Sequence, residues 1–324
     1  MGSYIHAIEY YLPEKSLDNS DLVRDFPDWD ADKIVEKVGI QSRRICSDNE
    51  TALDLAFHAS KKVFQEFDSD TVDFIILCTQ SPDYFLPTSA CILQDKLKLR
   101  KDIGALDFNL GCSGYIYGLA LGKSLINSRI ASTVLLVMSE TYSKHMHPSD
   151  VSNRSIFGDG AAATLLLANS DERIHDFILG TDGSGMENLI VKNSGIRNQK
   201  SLKNDRDQDG CLYMNGPEIF NFTIDVVPGL VKSVLDKNNV TINQIDYCIP
   251  HQANKFMLEY LRKKMKIEPE KWHIELLNTG NTVSATIPIA LKDCIDTGKV
   301  KPGDKVLLIG FGVGYSWGAT IITI

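Results

Sequence analysis

The chain has 324 residues, 43% of them hydrophobic, and a formal net charge of −8. That length allows one large domain or two ordinary ones, and the apolar fraction is that of a globular protein with a substantial core. The acidic balance argues against a general nucleic-acid or anionic-membrane binder, and seven scattered cysteines without CxxC spacing fit a cytoplasmic protein with reduced thiols better than a disulfide scaffold.

The N-terminus, Met1 to His6, lacks the basic-then-apolar pattern of a secretory leader, and no apolar run approaches the length of a membrane span. Residues 1–13 predict a strand leading to Leu12-Pro13. Asp21 to Lys37 predict one or two short helices with charged faces, and Gly39 to Arg44 a basic elbow. Thr51 to Phe67 fit an amphipathic helix capped near Asn49, with Ala52, Leu55, Ala56, Ala59, Val63 and Phe64 on one face. Val72 to Thr79 predict a strand, Asp83 to Thr88 a loop and Ser89 to Leu97 a helix. Next come a strand at Ile103 to Phe108, a Gly111-Cys112-Ser113-Gly114 corner and a helix at Tyr115 to Asn127. Strands at Ser132 to Met138 and Ala161 to Ala168 flank a long polar loop, in which His145-Met146-His147 has no nearby ligand set and reads as loop.

The second part repeats this order. A helix at Asn221 to Lys237 leads to a strand at Asp246 to Pro250, as the helix at 51–67 leads to Val72 to Thr79. Three echoes have nearly one offset: Asp73 to Asp246 is 173 residues, Cys112 to Asn281 is 169, and Val134 to Val306 is 172. The pattern predicts a duplicated α/β unit, with halves at 1–168 and 169–324. Equivalent corners of such halves face each other, so Cys112, Asn281 and His251 are expected to converge at strand ends.

Four motifs carry chemistry. The Gly-Cys-Ser-Gly corner puts Cys112 at the first turn of a helix, where unpaired N–H groups and the helix dipole are expected to lower a thiol pKa. Pro250-His251-Gln252-Ala253-Asn254 supplies an imidazole, Gly280-Asn281-Thr282 a carboxamide, and Gly310-Phe311-Gly312-Val313-Gly314 a glycine-rich turn able to present an oxyanion hole. A cysteine nucleophile with a histidine and an asparagine serves acyl transfer or thioester hydrolysis, and the residue chemistry alone leaves both open.

These motifs, in this order and spacing, resemble the thiolase superfamily and, more narrowly, the beta-ketoacyl-acyl-carrier-protein synthase III family. Ile34 to Arg44, Phe157-Gly158-Asp159-Gly160 and Tyr315-Ser316-Trp317-Gly318 extend the resemblance over nearly the whole chain. It implies a homodimeric thiolase-like fold with a layered α-β-α-β-α core. It also implies a decarboxylative Claisen condensation of an acyl thioester, acyl-CoA or acyl-carrier protein, with malonyl-carrier protein through an acyl-Cys112 intermediate. His251 and Asn281 would hold the enolate oxygen, and the N–H groups of Cys112 and Val313 the tetrahedral oxyanion. No metal or redox cofactor is implied. The nucleotide site departs from the family: Lys33 stands where a stacking tryptophan is common, and the family's arginine falls at Lys37 or Arg154, with Val151 at the aligned position. Asn254 completes the expected CoA contacts. Leu86, in a loop offered to the dimer partner, and Phe311 are expected in the acyl pocket. Lys255, Arg262 and Lys263, with Lys264 and Lys266, are expected to steer an acidic carrier protein. Transfer to a non-malonyl acceptor and a non-catalytic partner subunit are the rival readings.

Overall fold

The apolar runs become strands of two sheets in the computed structural model, whose described residues are 2–196 and 210–324. The main elements are β1 (Gly2–Tyr11), α1 (Ala31–Val38), α2 (Ala52–Val63), β2 (Phe74–Cys78), α3 (Ser89–Lys96), β3 (Gly104–Phe108), α4 (Gly114–Asn127), β4 (Thr133–Glu140) and β5 (Gly160–Asn169). They continue with β6 (Ile174–Thr181), α5 (Gly216–Lys237), β7 (Tyr247–Pro250), α6 (Lys255–Met265), α7 (Thr286–Asp296), β8 (Lys305–Gly312) and β9 (Ser316–Thr323).

One sheet has the order β1-β5-β4-β2-β3 and the other β6-β9-β8-β7. The second order copies the first element by element. Antiparallel β1–β5 and β5–β4 pairs correspond to antiparallel β6–β9 and β9–β8. Parallel β4–β2 corresponds to parallel β8–β7, and the β2–β3 pair shrinks to one parallel bridge between Cys248 and Trp272. Side chains repeat too. The Asp73 carboxylate accepts the N–H groups of Ser132 (2.7 Å) and Thr133 (3.1 Å) at the start of β4. Asp246, its partner in the repeat, accepts the Lys305 N–H (2.8 Å) at the start of β8.

The sequence-based boundaries shift for local reasons. Helix α2 is capped by Thr51, not Asn49. The Thr51 hydroxyl accepts the Asp54 N–H, and the Asp54 carboxylate accepts the Thr51 N–H, a reciprocal capping box. Helix α5 begins before Asn221, because Asn215 caps it and Pro217 suits the first turn. Strands β6 and β9 escaped the hydrophobic pattern, since polar and glycine residues interrupt Ile174 to Thr181 and Ser316 to Gly318.

Strand alternation builds the layers. Ile76, Leu136, Met138, Val306 and Leu308 face a central layer made by α4 and α7. On the opposite faces, Ile75, Leu77, Leu135 and Val137 pack under α2 and α3, and Leu307, Ile309 and Phe311 under α5 and α6. Gly118 of α4 is required for the close approach to β4, since a Cβ there would lie 2.6 Å from Leu136 Cδ1. Leu136 is wholly buried between sheet and helix. Leu136→Ala is therefore expected to lower unfolding free energy by about 2–5 kcal/mol in denaturant titration, without changing the sheet order.

Candidate active site

The turn Asn109–Ser113 links β3 to α4 and carries Cys112, which is 6% exposed. Two glycines of β8 close in on it. A Cβ on Gly312 would fall 2.9 Å from Cys112 Sγ, and one on Gly310 would fall 2.9 Å from Ser113 Cα. Strand β8 can thus run directly against the start of α4, and the Ser113 and Ser316 hydroxyls bond across the junction at 2.6 Å. The thiol does not have the lowered pKa expected from the helix start. Burial pushes it up to about 12, the nearby Glu140 carboxylate adds to the rise, and the N–H groups of Cys112 and Val313 offset only part. The Cys112 side chain rests as a thiol, because desolvation of a thiolate outweighs a short stretch of helix dipole.

His251 follows β7 and is 2% exposed. Burial lowers its pKa to about 3, so the ring is neutral at physiological pH. Its Nδ1 lies 2.7 Å from Thr286 Oγ1, and the ring meets Phe311 edge-on at 5.6 Å between centroids. Asn281 is held by backbone on both sides: its N–H donates to Ile156 O (2.9 Å), and its O accepts the Gly158 N–H (3.0 Å). The Phe157-Gly158-Asp159-Gly160 motif therefore anchors the asparagine corner. The Asn281 Oδ1 accepts the Val283 N–H at 2.9 Å, which turns Nδ2 toward His251 Nε2 and Ala253 O, each at 3.5 Å. Val283 holds a left-handed φ of 56°, the one β-branched residue to do so among the described residues.

Cys112, His251 and Asn281 line one cavity of about 140 Å³, together with Asn254, Phe311 and Gly312. Its apolar wall is Ile156, Phe157, Leu189, Met214, Ile219 and Met257. None of these six carries a polar signal, and they come from separated segments, so periodicity had no means of grouping them. The other expected contacts scatter. Lys33 and Lys37 project to solvent from α1, and Arg154 donates to Pro148 O and lines a separate cleft with Lys15 and Lys144. The open cleft beside the cavity, about 640 Å³, holds Phe26 and Trp29 instead, and shares Ile156, Met214 and Gly216 with it. Leu86 is 81% exposed at a loop tip with Tyr84 and Phe85, outside the cavity of its own chain. Lys255 and Lys263 are exposed on α6, whereas Arg262 is tied to Glu259 (2.9 Å) and to Ile267 O (3.0 Å). His145 and His147 face two different serines, Ser81 and Ser149. All seven cysteines are free thiols, and no helix among the described residues is long and apolar enough to cross a membrane.

Glu140, wholly buried at the end of β4, is a site residue that sequence reading missed. It accepts from Gln80 N (3.0 Å) and Ser284 Oγ (2.9 Å), and burial raises its pKa to about 8. Its charge opposes ionisation of Cys112. Glu140→Gln keeps a group of the same shape and removes that charge. The midpoint pH for alkylation of Cys112 by iodoacetamide is expected to fall in this variant. An unchanged or higher midpoint would mean that the carboxylate does not act on the sulfur.

Comparison with known proteins gives the family. The family descriptions "3-Oxoacyl-[acyl-carrier-protein (ACP)] synthase III" and "3-Oxoacyl-[acyl-carrier-protein (ACP)] synthase III C terminal" match residues 106–183 and 235–324. A beta-ketoacyl-[acyl-carrier-protein] synthase III of Clostridium perfringens is 39% identical over 316 residues, 96% of each chain. A crystal structure of a 3-oxoacyl-(acyl-carrier-protein) synthase III superposes over the full length of both chains with a TM-score of 0.98 and 46% identity. The Aquifex aeolicus enzyme of the same name does so with a TM-score of 0.90 and 33% identity. With its two copied sheets, its thiolase-like layering and a thiol, imidazole and carboxamide around one cavity, the chain belongs to the beta-ketoacyl-acyl-carrier-protein synthase III family.

Proposed function

We propose that the protein catalyses decarboxylative condensation of an acyl thioester with malonyl-acyl-carrier protein in fatty-acid biosynthesis, with Cys112 as the acylated nucleophile. The observation that carries this reading is the meeting of Cys112, His251 and Asn281, from both sheets' loops, on one largely apolar cavity. Neutral hydrogen-bond donors in a dry site stabilise negative charge that appears only during reaction. In the first half-reaction the Cys112 sulfur attacks the acyl carbon, the CoA or carrier sulfur leaves with the bonding pair and a proton, and the N–H groups of Cys112 and Val313 hold the oxyanion. In the second, malonyl-carrier protein loses carbon dioxide to form an enolate. Its carbon attacks acyl-Cys112, forming a carbon–carbon bond, and Cys112 leaves as thiolate and is reprotonated. The Asn281 Nδ2 group donates to the enolate oxygen, and His251 joins it when Nε2 carries a proton.

The duplicated halves, residues 1–168 and 169–324, each supply part of this site. Asn254 and the Phe26–Trp29 cleft make the entry for the donor's long arm, in place of Lys33, Lys37 and Arg154, which lie away from the cavity. A carrier protein docks on α6 through Lys255 and Lys263, with Arg262 held in its ion pair and Lys264 donating to Ile224 O (2.7 Å). The exposed Tyr84-Phe85-Leu86 tip suits burial in a homodimer, where Leu86 would reach the partner's acyl pocket beside Phe311. The free thiols and the absence of a long apolar helix among the described residues support a cytoplasmic enzyme. The chemistry asks for thioester substrates and no metal.

Intact-mass measurement after incubation with acyl-CoA or acyl-carrier protein is expected to show one acyl adduct on the wild type and none on Cys112→Ala. Asn281→Ala is expected to acylate normally and to release carbon dioxide from malonyl-carrier protein about 10²–10³-fold more slowly, the usual loss for one oxyanion donor. Acyl adducts without carbon dioxide release from the wild type would point to transfer onto a different acceptor. Equal loss of both steps in Asn281→Ala would remove its separate role.

A further inference from the structure

Val313 presents its N–H to the Cys112 sulfur from the turn between β8 and β9, so whatever holds that turn sets the oxyanion donor. Ser316 Oγ donates to Val313 O at 2.8 Å. Tyr315 exchanges both backbone bonds with Asp182: its N–H donates to Asp182 O (2.6 Å), and its O accepts the Asp182 N–H (2.9 Å). The Tyr315 ring is buried and stacked on Phe222 of α5, at 4.0 Å between centroids and 12° between planes. Gly185 lies against the same ring, since a Cβ there would fall 2.4 Å from Tyr315 Cδ2. Backbone and ring are both fixed, and the phenol oxygen is held in one direction.

That direction leads to the cavity wall. Asn188 Nδ2 donates to the phenol oxygen at 2.8 Å, and Asn188 Oδ1 accepts from Asn215 Nδ2 at 3.2 Å. The amide orientations follow from one unambiguous donor. The Glu218 N–H in the first turn of α5 faces Asn215 Oδ1, so the Asn215 Nδ2 group faces Asn188 Oδ1, and the Asn188 Nδ2 group faces the phenol. Backbone joins the two asparagines as well, with the Asn215 N–H donating to Asn188 O at 2.8 Å. Leu189 follows Asn188, Met214 and Gly216 flank Asn215, and all three line the cavity with Cys112.

We propose that Tyr315 is a positioning residue which, through Asn188 and Asn215, ties the Val313 N–H to the Leu189–Met214 wall of the cavity. The wall that receives the acyl group and the N–H that holds its oxyanion are then set by one hydrogen-bonded chain. An acyl group that displaces the wall draws the donor off the reacting carbonyl, so a poor fit costs acylation rate as well as binding. No bond is made or broken at Tyr315. The role in acylation rests on the acyl-Cys112 reading, whereas the hold on the Val313 N–H can be read on the free thiol.

Tyr315→Phe removes the hydroxyl and keeps the stacked ring, and Asn188→Ala cuts the same chain from its other side, so a misfolded variant leaves the other as the test. An N–H facing the sulfur favours its thiolate. Each variant is therefore expected to raise the midpoint pH for iodoacetamide alkylation of Cys112, with Glu140 left in place. In rapid-quench mass measurements with acyl-CoA, acyl-Cys112 formation at saturating donor is expected to slow about three- to tenfold in each, the scale of one neutral hydrogen bond, while the half-saturating donor concentration stays within about twofold. Tyr315→Phe combined with Asn188→Ala is expected to lose no more than either alone, because both cut one chain. A wild-type midpoint or a wild-type acylation rate in Tyr315→Phe, or losses that multiply in the double variant, would overturn the tie. A shifted midpoint together with no acyl adduct on the wild type would instead overturn the acyl-Cys112 reading and leave the tie standing.

Discussion

The structure depends on one close approach, that of strand β8 to the start of helix α4. Gly310 and Gly312 leave no room for side chains there, and a methyl group at Gly312 would sit 2.9 Å from the Cys112 sulfur. Glycine is used here for absence of bulk, not for a special dihedral angle. The contact joins the two sheets at Cys112 and brings the Val313 N–H onto the sulfur. A second tie, between Asn281 and the Ile156–Gly158 backbone, crosses between the same halves on the other side of the cavity. Each half therefore holds the other's reactive residue. Relative sliding of the sheets would break the site before it exposed much core, so the buried apolar area of the central layer also works as alignment.

Burial then sets the charge state. Cys112, His251, Asn281 and Thr286 are all nearly solvent-free, and the same desolvation moves the thiol up and the imidazole down. An ion pair of thiolate and imidazolium is disfavoured at rest on both counts. The site is neutral until substrate arrives, and its polar groups are oriented by bonds to the backbone or to each other. Asn281 has its oxygen spent on Val283 N–H, and Val283 takes a left-handed backbone that costs on the order of 1–3 kcal/mol to deliver that N–H. Val283 belongs to one buried apolar cluster with Cys112, Tyr142 and Phe157.

Much of this was legible in the residues. The strand–Cys112–helix corner, the His251 and Asn281 motifs and the nearly constant repeat offset rest on short-range patterns, and Asp73 and Asp246 keep the same hydrogen-bonding task in both copies. What sequence could not supply depends on three-dimensional neighbours. The direction of the Cys112 shift was misread because helix-dipole reasoning counts a local field and not the loss of water. Glu140 falls two residues past the strand predicted at Ser132 to Met138, and its partners Gln80 and Ser284 are distant in the chain. Trp29 and Phe26 lie in a charged, proline-containing stretch with no periodicity, yet line the open cleft beside the cavity.

These features bear on why condensation and hydrolysis differ in a site with the same three residue types. Hydrolysis of acyl-Cys112 requires a water placed against the acyl carbon and a base to deprotonate it. Here the Asn281 amide lies 3.5 Å from His251 Nε2, and six apolar side chains wall the cavity. A carbon nucleophile generated by loss of carbon dioxide needs no base at all. It needs a donor for the enolate oxygen, which the amide supplies without changing charge. A neutral carboxamide beside a neutral imidazole thus favours the reaction in which charge is created by decarboxylation over one in which it is created by proton abstraction from water.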